Sequence, residues 1–96
     1  MHARATTLRV GQETSDAAVD QYREALAKFR SMDGNRGAFL LVDQTAGRGV
    51  GVTLWESEEA MAKSREQAEQ LRQRAAEQAQ GEIESVVEYE VAVWDV

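Results

Sequence analysis

The stretch GVGVTLWESEEAMAKS, running from Gly49 to Ser64, changes its hydrophobic period midway. Up to Trp55 the apolar residues Val50, Val52 and Leu54 recur at every second position, as they do on a strand. From Met61 the pattern continues through Ser64, Ala68, Leu71, Ala75 and Ala79, the three-and-four spacing of one helical face. Ser57 stands at the junction, where its hydroxyl suits a helix N-cap, and Gly81 is placed to end the helix. A strand therefore runs into a long helix whose inner face is made mostly of small side chains, and Trp55 marks the corner.

Working outward from that corner, AFLLVD (38–43) is a nearly continuous apolar run, and QTAGRG joins it to VGVTLWE (50–56) as a hairpin loop supplied with glycine for positive φ. Upstream, Ala3 to Val10 reads as a short strand rich in Thr6, Thr7 and Val10 and interrupted by Gly11. Thr14, Ser15 or Asp16 can then cap a first helix carrying Val19, Tyr22, Leu26, Phe29 and Met32 on one face. Its outer side has Glu24 and Lys28 in the favourable order, and DGNRG ends it. Downstream, Ile83, Ser85, Val87, Tyr89, Val91 and Val93 form one face of a last strand, opposite Glu82, Glu84, Val86, Glu88, Glu90, Ala92 and Trp94. The order βαββαβ predicts an α+β, ferredoxin-like fold: a four-stranded antiparallel sheet with two helices on one face.

With 96 residues the chain fits a single domain, 1–96, near the lower end of sizes that fold unaided. It has 43% hydrophobic and 29% charged residues, and no apolar run approaches the roughly 20 residues of a membrane span. The N-terminus lacks the apolar segment of a secretory signal, so a cytoplasmic location is expected. A net charge of -6 argues against a nucleic-acid partner, which would require a basic face. There is no cysteine, and the single histidine, His2, is expected at a frayed chain end, so zinc, haem-thiolate and cysteine-nucleophile sites are not expected.

In the second and third strands both faces are apolar: Ala38, Leu40 and Val42 against Phe39 and Leu41, then Val50, Val52 and Leu54 against Trp55. A large apolar face left uncovered by helices marks an interaction surface, and a second copy of the same sheet about a twofold axis covers it most simply. A homodimer is expected.

FLLVD, the glycine-containing hairpin, VTLWES and EEAMAKS together resemble the antibiotic biosynthesis monooxygenase type of dimeric α/β barrel. The resemblance spans the chain in element order and is most specific from Trp55 to Ala60. It implies two ferredoxin-like subunits whose sheets meet, each with a pocket between sheet and helices, and an activity of cofactor-independent oxygenation. The pattern departs from the family at Asp33, Gly34 and Asn35, where a Pro-Gly-Phe turn is often found and only the glycine is kept. The haem-degrading branch of the superfamily uses an asparagine on the first strand and a tryptophan and histidine on the second helix. Here the one asparagine is Asn35 and Ser57 to Gln80 holds neither Trp nor His, so haem binding is not expected and no cofactor is.

Six residues are candidates for lining a pocket: Arg4, Thr6, Tyr22, Trp55, Ser64 and Tyr89. Trp55 reads first as a corner anchor, since a buried indole removes some 150–250 Å² from water, and second as a wall for a planar ligand. Tyr22 and Tyr89 read as core tyrosines needing hydroxyl partners, or as phenols orienting an aromatic ligand beside Ser64 and Thr6. Arg4 would stabilise a phenolate or enolate as it forms, unless it is merely solvated.

The glutamates of the last strand read as solvated or arginine-paired, because one extended strand does not close a metal shell. GRGVG (47–51) precedes a strand, which removes the geometry of a dinucleotide loop, and DGNRG lacks the later ligands of a calcium loop. No catalytic residue stands out. The expected function is a dimer that binds a small aromatic molecule, for which the family resemblance, and no motif, implies oxygenation of an activated phenol or quinol, with a non-catalytic binding or structural dimer as the alternative. An internal cavity of roughly 300 Å³ or more would favour the first.

Overall fold

In the computed structural model the described residues are 1–9, 15–78 and 81–96. Val10, Gly11, Thr14 and Ala79, used in the reading above, lie outside them. The order is β1 (His2–Arg9), α1 (Ser15–Arg30), β2 (Asn35–Asp43), β3 (Arg48–Trp55), α2 (Glu58–Gln78) and β4 (Glu82–Glu90). The strands form one antiparallel sheet in the order β2-β3-β1-β4, the ferredoxin-like arrangement expected from the sequence. No described helix is long and apolar enough to cross a membrane.

Local chemistry sets each boundary. The Ser57 hydroxyl accepts the Ala60 N–H at 3.0 Å and so caps α2. At the other end the Gly81 N–H donates to the Ala76 carbonyl at 2.8 Å. The β2–β3 hairpin turns through Gly47 at φ 66°, with the Asp43 carboxylate accepting the Ala46 N–H. Gly34, in the turn between α1 and β2, has φ 79°, and a Cβ there would run into the Ala60 side chain. Its carbonyl accepts the Glu56 N–H at 2.8 Å, so the α1–β2 turn is tied directly to the corner before α2.

Both helices cover the same sheet face. Ala25 and Phe29 of α1 pack with Ala68 of α2 in the buried core, flanked by Met32 and Leu71. Gly51 belongs to this face because the Tyr22 ring lies where its side chain would be, 2.9 Å from the position of a Cβ. The other face carries the row Phe39, Val52, Ala5 and Val87 across all four strands, in register. Phe39, Leu41, Val87 and Tyr89 are exposed on it.

Two expectations are corrected. His2 does not fray but opens β1 opposite Trp55 and Glu90, because both neighbouring strands extend that far. The last strand stops at Glu90 and not at Val93; among the described residues its pairing ends with the Val91 N–H bond to the Met1 carbonyl. Val93, Trp94 and Val96 are consequently exposed.

Candidate functional site

A cavity of about 50 Å³ lies between the sheet and the two helices. Arg4, Thr6 and Leu8 of β1, Leu40 and Val42 of β2, and Gly49, Gly51 and Thr53 of β3 form its floor. Tyr22, Phe29, Leu71, Arg72, Ala75 and Ala76 descend from the helices. On the helix-facing side of β3 the small residues Gly49, Gly51 and Thr53 follow one another, and the Tyr22 ring lies over Gly51. The volume is well below the roughly 300 Å³ set as the mark of a ligand pocket and accommodates a few water molecules or one small polar group. A wider groove of about 370 Å³ passes over the α1–β2 turn, but its charged wall of Asp33, Glu56, Glu59 and Lys63 makes it a solvated surface.

Arg4 is the centre of the polar wall and is only 2% exposed. Its Nε and Nη2 donate to Glu88 Oε2 at 3.1 and 2.8 Å, Nη2 also to the Met61 carbonyl at 2.9 Å, and Nη1 to Ser64 Oγ at 3.2 Å. Strand pairing puts Glu88 directly opposite Arg4, so the ion pair is built by β-sheet register. Arg65 closes on the same carboxylate from outside, with Nη2 at 2.7 Å from Oε1. The hydrogen bonds from Arg65 and then Arg4 hold the Glu88 carboxyl down to about 2, against a burial effect in the opposite direction. Glu84 is likewise paired, with Arg9 and Arg48. Among the described residues no group of three or more His, Asp or Glu is arranged to hold a metal ion.

The six candidates separate. Arg4, Thr6 and Tyr22 line the cavity. Trp55 and Ser64 do not, although both touch Arg4, and Ser64 lines the wider groove. The indole is fully buried, donates from Nε1 to Thr53 Oγ1 at 3.0 Å and has the Arg4 guanidinium 5.7 Å from its ring centroid. Ser64 Oγ accepts from Arg4 and donates to the Met61 carbonyl at 2.7 Å. Tyr89 is a correction. It pairs with Ala3 on the opposite sheet face and is half exposed, because its parity is that of Val87 and not of Glu88. The Tyr22 hydroxyl donates to the carbonyls of Phe39 and Val52 at 3.0 and 3.4 Å, and burial pushes its pKa up to about 12. It is a neutral phenol that holds α1 to β2 and β3.

Sequence reasoning missed Arg72 and Thr53. Arg72 follows Leu71 on the stripe of α2 and looks like an outward charge, yet its half-buried side chain is part of the cavity wall, and its Nε and Nη1 are buried without a hydrogen-bond partner. Burial first, and then the positive charge of Arg4, lower its pKa. The alternating glycines at 49 and 51 were the available signal that something bulky approaches β3 from the helix side.

Comparison with known proteins places this geometry in a family. An uncharacterised protein of Mycobacterium tuberculosis (strain H37Rv) is 38% identical over 93 residues, and a second from the same strain is 35% identical over 92. These alignments take in 96% and 94% of this chain but only 41% and 39% of those proteins, so the chain spans about two fifths of their length. A Deinococcus radiodurans protein proposed to be an antibiotic biosynthesis monooxygenase superposes with a TM-score of 0.76, covering 100% of this chain and 97% of its own, at 16% identity. SnoaB, a cofactor-independent oxygenase from Streptomyces nogalater, superposes with a TM-score of 0.73 at 11% identity, covering 97% and 94%. At such identities these two structures establish the shared fold. The sequence profile described as antibiotic biosynthesis monooxygenase matches residues 1–76, and the chain therefore belongs to the antibiotic biosynthesis monooxygenase family.

Proposed function

We propose that the protein is a homodimer that binds a small aromatic molecule in the cavity between sheet and helices and oxygenates an activated phenol or quinol without a cofactor. The observation that carries the binding part is a largely apolar cavity between sheet and helices, with Arg4, Thr6, Thr53, Tyr22 and Arg72 among the residues that line it. Buried polar groups converging in an apolar recess are what orients a ligand. The dimer is supported by the exposed Phe39, Leu41, Val87 and Tyr89 on the sheet face the helices leave bare.

In the reaction the deprotonated ring is its own reductant. An electron-rich ring carbon transfers electrons to dioxygen, one oxygen atom becomes the carbonyl of the product quinone, and the other leaves as water with the two hydrogens lost by the ring. The protein's share is to favour the ionised ring, which a guanidinium does by opposing the negative charge. Substrate entry requires the wall at Ala75 and Ala76 to give way, because about 50 Å³ does not admit a ring system.

That small volume also supports the alternative, a binding or structural dimer without catalysis. Oxygen uptake with a naphthalenediol decides between them. Uptake above spontaneous oxidation, lost when Ala75→Leu fills the cavity, supports the oxygenase. Uptake no faster than in buffer leaves the non-catalytic dimer.

A further inference from the structure

The two edges of the sheet are guarded differently. β4, at one edge, carries Glu82, Glu84, Glu88 and Glu90, and charge along an edge strand discourages pairing with another chain. β2, at the other edge, has no charged residue between Arg36 and Asp43; its middle is GAFLLV (37–42). The Tyr22 hydroxyl meets the carbonyls of Phe39 and Val52 at 3.0 and 3.4 Å, so these paired residues turn their backbone groups towards each other, between β2 and β3. Alternation along the strand then turns the N–H and C=O groups of Ala38, Leu40 and Val42 outwards, and among the described residues no strand lies beside them. An apolar edge of this kind is a template for a further strand.

A segment of matching character leaves the sheet at its opposite edge. Beyond Glu90 the chain continues as VAVWDV (91–96), rich in valine, with Val93, Trp94 and Val96 exposed. Its own β2 lies three strand spacings away, about 14 Å, so reaching that edge would use about four of these residues and lay them across the bare sheet face. A second copy removes the difficulty. When two bare faces meet about a twofold axis parallel to the strands, the order β2-β3-β1-β4 sets each β4 across from β2 of the other copy and antiparallel to it. The gap is then the spacing of packed sheets, about 10 Å, which three extended residues beyond Glu90 cross. Val93, Trp94 and Asp95 arrive alongside β2.

We propose that residues 91–96 cross to the second copy and add to its β2 as a short antiparallel strand, so that each protomer completes the sheet of the other. The inference rests on the paired-sheet dimer of the functional reading above. Charge agrees with the direction: the antiparallel segment carries Asp95 away from Asp43 and towards the basic end of β2. There Arg36 is exposed, and the Arg30 guanidinium lies 3.8 Å from where a Gly37 Cβ would be. With Val93 facing Ala38, Trp94 faces Gly37, which has no side chain to displace, and Asp95 faces Arg36.

The test uses two single variants of a chain without cysteine, Ala38→Cys and Val93→Cys, refolded together and mildly oxidised. Directly opposed residues of antiparallel strands lie about 4.5–5.5 Å apart, within reach of a disulfide. A covalent dimer holding one chain of each variant is the expected result. A disulfide joining two Ala38→Cys chains would show β2 paired with β2 and overturn the proposal. Absence of the mixed link in a protein that light scattering shows to be dimeric would overturn it too, leaving paired sheets without exchanged strands. A monomer at micromolar concentration would remove both. Amide hydrogen exchange gives a second readout: Ala38, Leu40 and Val42 should be protected in the wild-type dimer and exchange about tenfold faster or more once residues 92–96 are deleted. Protection unchanged by the deletion would contradict the exchanged strand.

Discussion

Arg4 and Glu88 sit directly opposite each other on β1 and β4, and one oxygen of the Glu88 carboxylate receives both Nε and Nη2 of the guanidinium at 3.1 and 2.8 Å. The same guanidinium reaches the Met61 carbonyl and Ser64, so one side chain joins the sheet to α2. Removing the cation from this enclosed pair leaves a carboxylate half-satisfied and empties the space beneath Trp55. Arg4→Met should therefore cost on the order of 3 kcal/mol, measured by urea unfolding, and a loss below about 0.5 kcal/mol would contradict the linking role.

Acid unfolding reads the other partner. The folded pKa of Glu88, about 2, lies below its ordinary 4.5, so its contribution to stability is complete above pH 4.5 and disappears as the pH falls towards 2. Glu88→Gln should be less stable than wild type at neutral pH and show a flatter dependence over that window. Parallel curves for the two proteins between pH 4.5 and 2 would show that the pairing does not depress the pKa.

Trp55 supports the same junction from beneath. Emptying a fully buried indole site usually costs about 3–5 kcal/mol, so Trp55→Ala should lower the melting temperature greatly and Trp55→Phe should recover much of the loss. Because Trp55 does not line the cavity, weakened ligand binding in Trp55→Phe at unchanged stability would argue for an indole that touches the ligand.

Tyr22 and Gly51 form a second matched pair. A methyl group at 51 meets the ring at 2.9 Å, and Gly51→Ala should cost about 1–3 kcal/mol by displacing it. In alkaline titration one tyrosine should ionise near pH 12 and be absent from Tyr22→Phe. Since the folded pKa is raised from 10.0, stability gained from the neutral phenol is full below pH 10 and is lost as the pH rises through 12. Displacement of the ring in Gly51→Ala should bring that titration back towards pH 10.

Much of this organisation is legible in the chain. The change of period at Trp55, the Ser57 cap and the hairpin glycine are local signals, and each specifies its element without reference to the rest. The site is less legible because it depends on register between distant strands. Parity alone put Tyr89 with the pocket, whereas pairing of Ala3 with Tyr89 and of Arg4 with Glu88 turns the glutamate inward and the tyrosine outward. Arg72 was hidden for a different reason: a long arginine next to the apolar stripe of α2 can fold its head either into solvent or under the helix, and spacing does not distinguish the two.

The dimer prediction concerns the bare sheet face. Light scattering should give twice the 10.7 kDa chain mass, and Leu41→Glu, on the exposed row, should shift the protein towards monomer. A wild-type monomer at micromolar concentration would contradict the paired-sheet arrangement.

The central claim, that the space between sheet and helices is the ligand site, is tested most directly by an NMR titration of amide resonances with benzoate or a naphthalenediol under anaerobic conditions. The account predicts saturable shifts concentrated at Gly49, Gly51, Thr53, Ala75 and Ala76, the backbone lining that space. Shifts confined to the opposite face, around Phe39, Val87 and Tyr89, or no saturable shifts at millimolar ligand, would contradict it.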